Sequence, residues 1–305
     1  MAARRIRRAA LPQIANADLV HVHSNGLLAE VAAATARRLG KPFVLTLYGT
    51  EIWHYRRKRF VPDLFTRAYR TAAAVTFYSE RLLARAGELG LARPGCRAIY
   101  PPVPESFAFH DRAAQMAVRQ ALGITAARVL VNVKRLHPLA GQRYLIDAMP
   151  RILADHTDTR LIICGAGALQ AELEAAARAA RVDRHVTFAG LVDNALVARY
   201  CAAADLFVLP SLLEALPTVA VEALASGTPV VSSDNPGGLE LARLFNDDVE
   251  IVAREDPGAL AEAIAARLRD PRRTRVATQR IIGERFRPSA VAAQYWAVYA
   301  EARRT

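Results

Sequence analysis

Short apolar runs alternate with longer segments of helical spacing along almost the whole chain. The runs are Asp18–Val22, Pro42–Leu47, Ala74–Tyr78, Val129–Val133, Leu161–Cys164, His185–Phe188, Leu206–Leu209, Pro229–Ser232 and Val249–Val252. They are rich in Val, Ile, Leu and Phe, and they do not alternate with polar residues. Parallel strands covered on both faces read in this way. Repeated strand–helix–strand alternation predicts an α/β chain of doubly wound, Rossmann-like parallel sheets.

The pattern breaks at Tyr100-Pro101-Pro102-Val103-Pro104, where three prolines in four positions exclude helix and favour an extended linker. Asp111 then reads as the N-cap of a helix running through Leu122. These signals divide the chain into residues 1–104 and 105–287. The second part carries about six strands and the first only three or four, behind a basic helical stretch. The expectation is an amino-terminal domain lacking its first βαβ units. After Phe286-Arg287-Pro288, Ser289 caps a closing apolar helix over residues 288–305.

Composition narrows the class. With 52% hydrophobic and 23% charged residues among 305, the chain can bury a large core and is not disordered. No apolar run approaches the ~18 residues of a membrane helix, and the basic start lacks the apolar stretch of a secretory signal. Cys96, Cys164 and Cys201 are odd in number and form no C-x-x-C pair, which argues against a disulfide framework or zinc site and fits a reducing cytoplasm. Cys164 sits inside an apolar run and reads as core. The formal net charge of +12 favours anionic partners, a nucleotide or an acidic membrane surface. The basic residues are nearly all arginine, the lysines being Lys41, Lys58 and Lys134. No RNA-binding motif and no aromatic–basic interleaving accompany them, so nucleic acid is not expected as a partner.

The strongest chemical signal is Leu209-Pro210-Ser211-Leu212-Leu213-Glu214, continuing through Ala215-Leu216-Pro217-Thr218-Val219-Ala220-Val221-Glu222 to Ala225-Ser226-Gly227-Thr228-Pro229-Val230-Val231. Glu214 follows a buried strand, at the carboxyl end where open α/β sheets bind ligands. Glu222 lies eight positions on, so the spacing places both carboxylates on one face of an otherwise apolar helix. Sugar and ribose hydroxyls would suit both; two solvated helix carboxylates are the plainer reading. Gly165-Ala166-Gly167 follows a strand and opens a helix. It is either a tight turn or part of a nucleotide site, and it lacks the third glycine of a dinucleotide fingerprint.

This constellation resembles the E-x7-E signature of the retaining family-4 glycosyltransferases, which have the two-domain GT-B fold. The resemblance implies transfer of a sugar from a nucleotide-diphosphate sugar to an acceptor hydroxyl. It implies that Glu214 meets the donor sugar and Glu222 the ribose, with backbone N–H groups of Leu216, Thr218 and Val219 cradling the donor. Asn132-Val133-Lys134-Arg135-Leu136 resembles the family's strand-end Gly-Arg-Leu, which places Arg135, with Lys134 beside it, at the diphosphate. A Lys-Gly pair usually follows; here it is Ala140-Gly141, and Lys134 or Arg143 is left to supply that charge. Gly165 and Gly167 fall near the nucleotide, Leu191 and Val192 at the nucleobase, and Pro236-Gly237-Gly238-Leu239-Glu240 over the pocket. Thr46-Leu47-Tyr48-Gly49-Thr50-Glu51 resembles T-x-H-G-x-D. Tyr48 thus stands where the family has a histidine beside the reaction centre, and Gly49, Glu51 and nearby His54 are acceptor-side residues. His21 and His23 match a strand-end His-x-His pair and, without further ligands at suitable spacing, do not read as a metal site.

With no D-x-D triplet, the resemblance implies catalysis without a metal or other cofactor. Partners are then the nucleotide-sugar donor and a sugar, lipid or small-molecule acceptor in envelope, polysaccharide or glycolipid synthesis. The protein is expected in the cytoplasm. Arg4, Arg5, Arg7, Arg8 and Arg56-Arg57-Lys58-Arg59 read either as a peripheral contact with an acidic membrane face or as a solvated basic surface. The closing helix is expected to pack on the amino-terminal domain. Rival readings are a non-catalytic nucleotide-sugar-binding paralogue, motivated by Ala140 and Tyr48, and an epimerase or phosphorylase of similar fold. The Glu214/Glu222 spacing disfavours the epimerase, and the absence of a cofactor-lysine pattern disfavours the phosphorylase.

Overall fold

The computed structural model describes residues 2–23, 26–56, 63–91 and 93–304, the side chains of Thr50, Glu51 and Leu64 lying outside that description. Two compact units emerge. One comprises the residues up to Pro101 together with those from Ser289 onward, the other Pro102–Pro288. The division falls at Pro101/Pro102 rather than Pro104 because the linker is tied into the second unit. Val103 N–H donates to Phe286 O at 2.7 Å, and the Arg287 guanidinium donates to Pro104 O and Phe107 O at 3.1 Å each.

The first unit contains α1 (Ala2–Asn16), β1 (Val20–Val22), α2 (Gly26–Arg38), β2 (Phe43–Leu47), α3 (Thr50–Trp53), α4 (Leu64–Thr71), β3 (Ala74–Phe77), α5 (Glu80–Glu88) and β4 (Cys96–Ala98). Its strands are parallel in the order β1-β2-β3-β4. Every residue of β2 and β3 is buried, as in strands covered on both faces, and the threonine in each, Thr46 and Thr76, is satisfied by a mutual hydrogen bond. The sequence pattern overlooks β4, three half-buried edge residues with Arg97 in the middle, which contain no apolar run.

The second unit contains α6 (Arg112–Ala121), β5 (Arg128–Val133), α7 (Gln142–Asp155), β6 (Thr159–Cys164), α8 (Gln170–Ala179), β7 (Val186–Gly190), α9 (Asn194–Ala203), β8 (Leu206–Leu209), α10 (Thr218–Ala225), β9 (Val230–Ser233), α11 (Pro236–Phe245), β10 (Val249–Val252), α12 (Pro257–Arg269) and α13 (Val276–Arg285). Its six strands are parallel in the order β10-β9-β8-β5-β6-β7. The chain starts at the centre with β5, winds outward to β7, then crosses to β8 and winds the other way. The loops leaving β5 and β8 therefore diverge, opening a crevice at the carboxyl ends of these neighbouring strands.

A buried charge cluster anchors that central pair. Asp205, at the start of β8, pairs with Arg119 at 2.6 Å and Arg112 at 2.9 Å, both on α6, and accepts from Val129 N–H of β5 at 2.8 Å. Removing Arg119 or Asp205, the two buried members, costs on the order of 3–5 kcal/mol because it strands the other charge, whereas Arg112 is largely exposed.

The last helix, α14 (Pro288–Ala302), belongs to the first unit beyond its initial proline. Its Val291, Val298 and Ala302 pack against Val44, Ala74 and Ile99 on one side of the four-stranded sheet.

Candidate active site

The crevice between β5 and β8 collects the charged residues of the sequence motif. Leaving β5, Lys134 is half-buried and Arg135 exposed. Their backbone is clamped from both sides. Lys134 N–H donates to Cys164 O of β6 at 2.9 Å, and the amide of Gln142, 1% exposed, donates to Arg135 O at 3.3 Å and Lys134 O at 3.5 Å. Beneath them buried Asn132 donates to Val208 O at 2.8 Å, tying β5 to β8. The Lys134 ammonium forms an ion pair with the Glu214 carboxylate. Two charges from opposite sides of the switch point thus meet at the mouth of the crevice.

Glu214 is not on the helix that its spacing with Glu222 implies. Helix α10 begins at Thr218 because Pro217 cannot extend it backwards, and the residue before a proline is forced toward extended backbone. Glu214 stands instead in the loop after β8. That loop is fastened by Leu212 N–H to Leu139 O at 2.8 Å, by buried Asn235 to Ser211 O at 2.8 Å, and by Gly237 N–H to Glu214 O at 3.0 Å. A Cβ on Gly237 would fall 2.8 Å from both Glu214 Cβ and Pro217 Cδ, so this glycine lets α11 press directly on the loop. Gly237 of the Gly-Gly pair therefore helps hold Glu214 in place. Pro217 also supplies no side-chain cap, which leaves first-turn N–H groups of α10, among them Thr218 and Val219, free of a capping acceptor. Leu216 is nearly buried beside them. Glu222 lies on α10, half-buried, and burial raises its carboxyl above the ordinary value.

A cavity of about 650 Å³ runs from Lys134 and Arg135 past Gly165, Gly167 and Leu191–Val192 to Asn194. The Gly165-Ala166-Gly167 turn has a steric reason as well as a place in that wall. At Gly165, φ is +140° and a Cβ would lie 2.1 Å from Lys134 O, and one on Gly167 would lie 2.1 Å from Leu136 O. Leu191 is 84% exposed at the far end. Cys164 lies in the wall too, and burial pushes its thiol up to about 12, consistent with a core residue.

Of the two residues left to replace the missing cation, Arg143 is turned away. It pairs with Asp147 at 2.9 Å along α7. Ala140 itself is buried and uncharged.

The first unit presents a different cluster at the carboxyl ends of its strands. Tyr48, after β2, shares a 2.9 Å hydrogen bond with His23 Nδ1 and packs on Tyr78 with ring centres 4.5 Å apart. His21 Nδ1 meets the Tyr299 hydroxyl of α14 at 2.7 Å, and its Nε2 meets Thr46 Oγ1 at 2.7 Å, which continues to Thr76 Oγ1 at 2.6 Å. Tyr295 stacks near both histidines. Burial, and secondarily His23, lower the His21 imidazole to about 4; burial also lowers His23. Gly49 begins the turn into α3, while His54 is exposed beyond it. The imidazole hydrogen-bonded to Tyr48 is that of His23. The Glu51 side chain and Arg57-Lys58-Arg59 lie outside the described residues. Among the described residues no group of three or more His, Cys, Asp or Glu is placed to hold a metal ion, and no helix is long and apolar enough to cross a membrane.

Residues 116–283 match the family model for glycosyl transferases group 1, and residues 1–107 match that for glycosyltransferase family 4. A Mycobacterium tuberculosis glycogen synthase is 32% identical over 94% of this chain and 69% of its own length. A phosphatidyl-myo-inositol mannosyltransferase from Mycobacterium leprae is 35% identical over 61% of this chain and 49% of its own. Among solved structures, Anabaena HepE in complex with UDP superimposes with a TM-score of 0.80 at 21% identity, covering 98% of this chain and 81% of that one. Sucrose-phosphate synthase from Thermosynechococcus elongatus does so with a TM-score of 0.79 at 22% identity, covering 98% and 77%. The two parallel sheets, the crevice at the switch point of the larger one and the motifs that line it accordingly belong to a member of the group 1 glycosyltransferases, with the GT-B fold.

Proposed function

We propose that this enzyme transfers a sugar, with retained anomeric configuration, from a nucleotide-diphosphate sugar to a hydroxyl of a carbohydrate or glycolipid acceptor. The observation that carries the reading is the Lys134–Glu214 ion pair at the β5/β8 crevice, where Lys134 and neighbouring Arg135 line a cavity of about 650 Å³. The base would rest against the backbone of Leu191 and Val192, the ribose would bond Glu222, and the diphosphate would lie at Arg135 beside Lys134, near the amides of Leu216, Thr218 and Val219. A guanidinium offers two parallel donors to phosphate oxygens. The first-turn amides of α10 add an oriented positive field where the leaving diphosphate gains charge. Glu214 would orient the sugar hydroxyls. No metal has a role in this scheme. Tyr48, Gly49, Glu51 and His54 would serve the acceptor side, Tyr48 as a hydrogen-bonding group coupled to His23. The relatives' names support the carbohydrate or glycolipid acceptor; the bound UDP of HepE supports a nucleoside-diphosphate leaving group.

The decisive experiment incubates purified protein with a panel of nucleotide sugars and measures nucleoside-diphosphate release with and without carbohydrate acceptors. Turnover that disappears in Glu214→Ala supports the assignment, and turnover unchanged in that variant overturns it. Binding of a donor without turnover under any acceptor would favour a binding role instead.

A further inference from the structure

Three cations that the proposed reaction does not use meet at the other end of the smaller sheet. Arg37 lies in the last turn of α2, Lys41 in the turn into β2, and Arg303 just beyond α14. With Pro42, Phe43 and Ala73 they line one cavity of about 410 Å³. It sits at the amino ends of β2 and β3, whereas Tyr48 and Tyr78 follow their carboxyl ends. The whole lining belongs to one unit. The plain role for such cations is to serve the carbonyls at helix ends, but those carbonyls are already taken. In α2, Thr35 O accepts from Leu39 N–H at 3.1 Å, Ala36 O from Lys41 N–H at 2.9 Å and Arg37 O from Gly40 N–H at 3.2 Å. In α14, Tyr299 O accepts from Arg303 N–H and Glu301 O from Arg304 N–H. At the neighbouring end of α4, Ala68 O accepts from Ala72 N–H and Tyr69 O from the Arg93 guanidinium. Among the described residues the side chains of Arg37, Lys41 and Arg303 enter no ion pair or hydrogen bond, and no carboxylate lines the cavity. Glu30 lines the small hollow beside it and pairs with neither Arg37 nor Arg67 there. The three charges therefore share one concavity with their mutual repulsion unrelieved.

We propose that this cavity binds a phosphate monoester, at a site separate from the donor crevice. Two guanidiniums offer paired donors to phosphate oxygens and the ammonium adds a point charge, against the roughly two negative charges of a monoester. Buried Phe43 and half-buried Pro42 and Ala73 give the carbon part of the ester an apolar floor. The backbone of Lys41 is fixed before any ligand arrives. Gly40 precedes it at φ +63°, Pro42 follows it with its ring-locked φ, and Pro42 O accepts from Val20 N–H of β1 at 2.9 Å. A cation whose backbone is held in advance loses less on binding. The same chemistry is carried by a soluble phosphate ester and by a phospholipid headgroup that ends in phosphate. The proposal does not depend on the assignment of the donor crevice.

The test compares wild type, Arg37→Gln/Arg303→Gln and a control, Arg4→Gln/Arg8→Gln, which removes two exposed charges from α1. Glycerol 3-phosphate, followed by calorimetric titration at low ionic strength, is the soluble probe, with glycerol as its phosphate-free counterpart. Co-sedimentation with phosphatidylcholine vesicles, with and without phosphatidic acid, is the lipid arm. Wild type should bind the ester or the phosphatidic acid vesicles, and the cavity variant should lose about tenfold or more in affinity, as for loss of charge-assisted contacts. The α1 control should stay close to wild type, and UDP should not displace the ester. Vesicle binding that requires phosphatidic acid assigns the site to a lipid headgroup; ester binding without it assigns the site to a soluble ligand. Equal losses in the two double variants overturn the proposal, since the charge of the whole chain would then be responsible. Unchanged binding in the cavity variant, displacement of the ester by UDP, or binding of neither probe overturns it as well. Where the cavity variant does not fold, Lys41→Gln decides: weakened binding supports the site and unaltered binding overturns it.

Discussion

The two units gather side chains at the same place, the carboxyl ends of parallel strands, yet the two edges are chemically opposite. In the larger unit the edge is ionic, with Lys134, Arg135 and Glu214 standing on loops clamped by backbone hydrogen bonds and by glycines that allow close approach. In the smaller unit it is neutral and aromatic, with His21, His23, Tyr48, Tyr78, Tyr295 and Tyr299 linked by short hydrogen bonds and ring contacts. Burial keeps His21 and His23 uncharged at neutral pH. One edge is prepared for an anion, while the other offers uncharged hydrogen-bonding groups. One architecture thus produces different chemistry through loop residues alone.

The largest effects are expected at the ionic edge. Glu214→Ala should lower sugar transfer by roughly a thousandfold or more, the scale of losing an oriented transition-state contact, as read from nucleoside-diphosphate release. Gly165→Ala should cost on the order of 2–4 kcal/mol in the chemical unfolding of the larger unit. It places a Cβ against Lys134 O at a backbone angle that side chains rarely adopt. An unchanged unfolding midpoint would show that the turn relaxes freely.

Acidification should act on the neutral edge. His21 titrates near 4 in the folded chain against 6.5 for the free side chain. Above pH 6.5 both folded and unfolded states hold it neutral. As the pH falls from 6.5 toward 4, the unfolded chain takes up a proton that the folded chain refuses, so the smaller unit loses stability across that window. His21→Gln should flatten this part of the stability–pH curve, and a slope unchanged in His21→Gln would assign it to other groups. The smallest effect is expected from Tyr299→Phe, which removes one hydrogen bond and should cost about 1 kcal/mol in the same unit. It should leave affinity for a nucleoside diphosphate unaltered, since Tyr299 lies outside the donor cavity.

Local chemistry explains why the two edges differ in legibility. The ionic edge is written in contiguous motifs. A buried strand, a turn and a charged residue lie within a few positions in both Val129–Arg135 and Leu206–Glu214, and parallel-sheet topology then brings the strand ends together. The neutral edge is assembled from residues far apart, as the 278 positions between His21 and Tyr299 show. His23 as the partner of Tyr48 is equally hidden, since the two lie 25 positions apart on different loops.

The nine apolar runs, the proline break, the Asp111 cap and the E-x7-E segment are properties of short stretches, and they suffice for the α/β class, the strand content of the larger unit and the candidate donor residues. Packing adds that Glu214 sits in a loop ahead of α10, that Lys134 and not Arg143 faces it, and that α14, expected on the smaller unit, brings Tyr295 and Tyr299 to His21. The reason is physical. Burial and backbone preference act over a few residues, whereas ion pairs and ring contacts depend on which distant segments the packed sheets bring within a few ångströms.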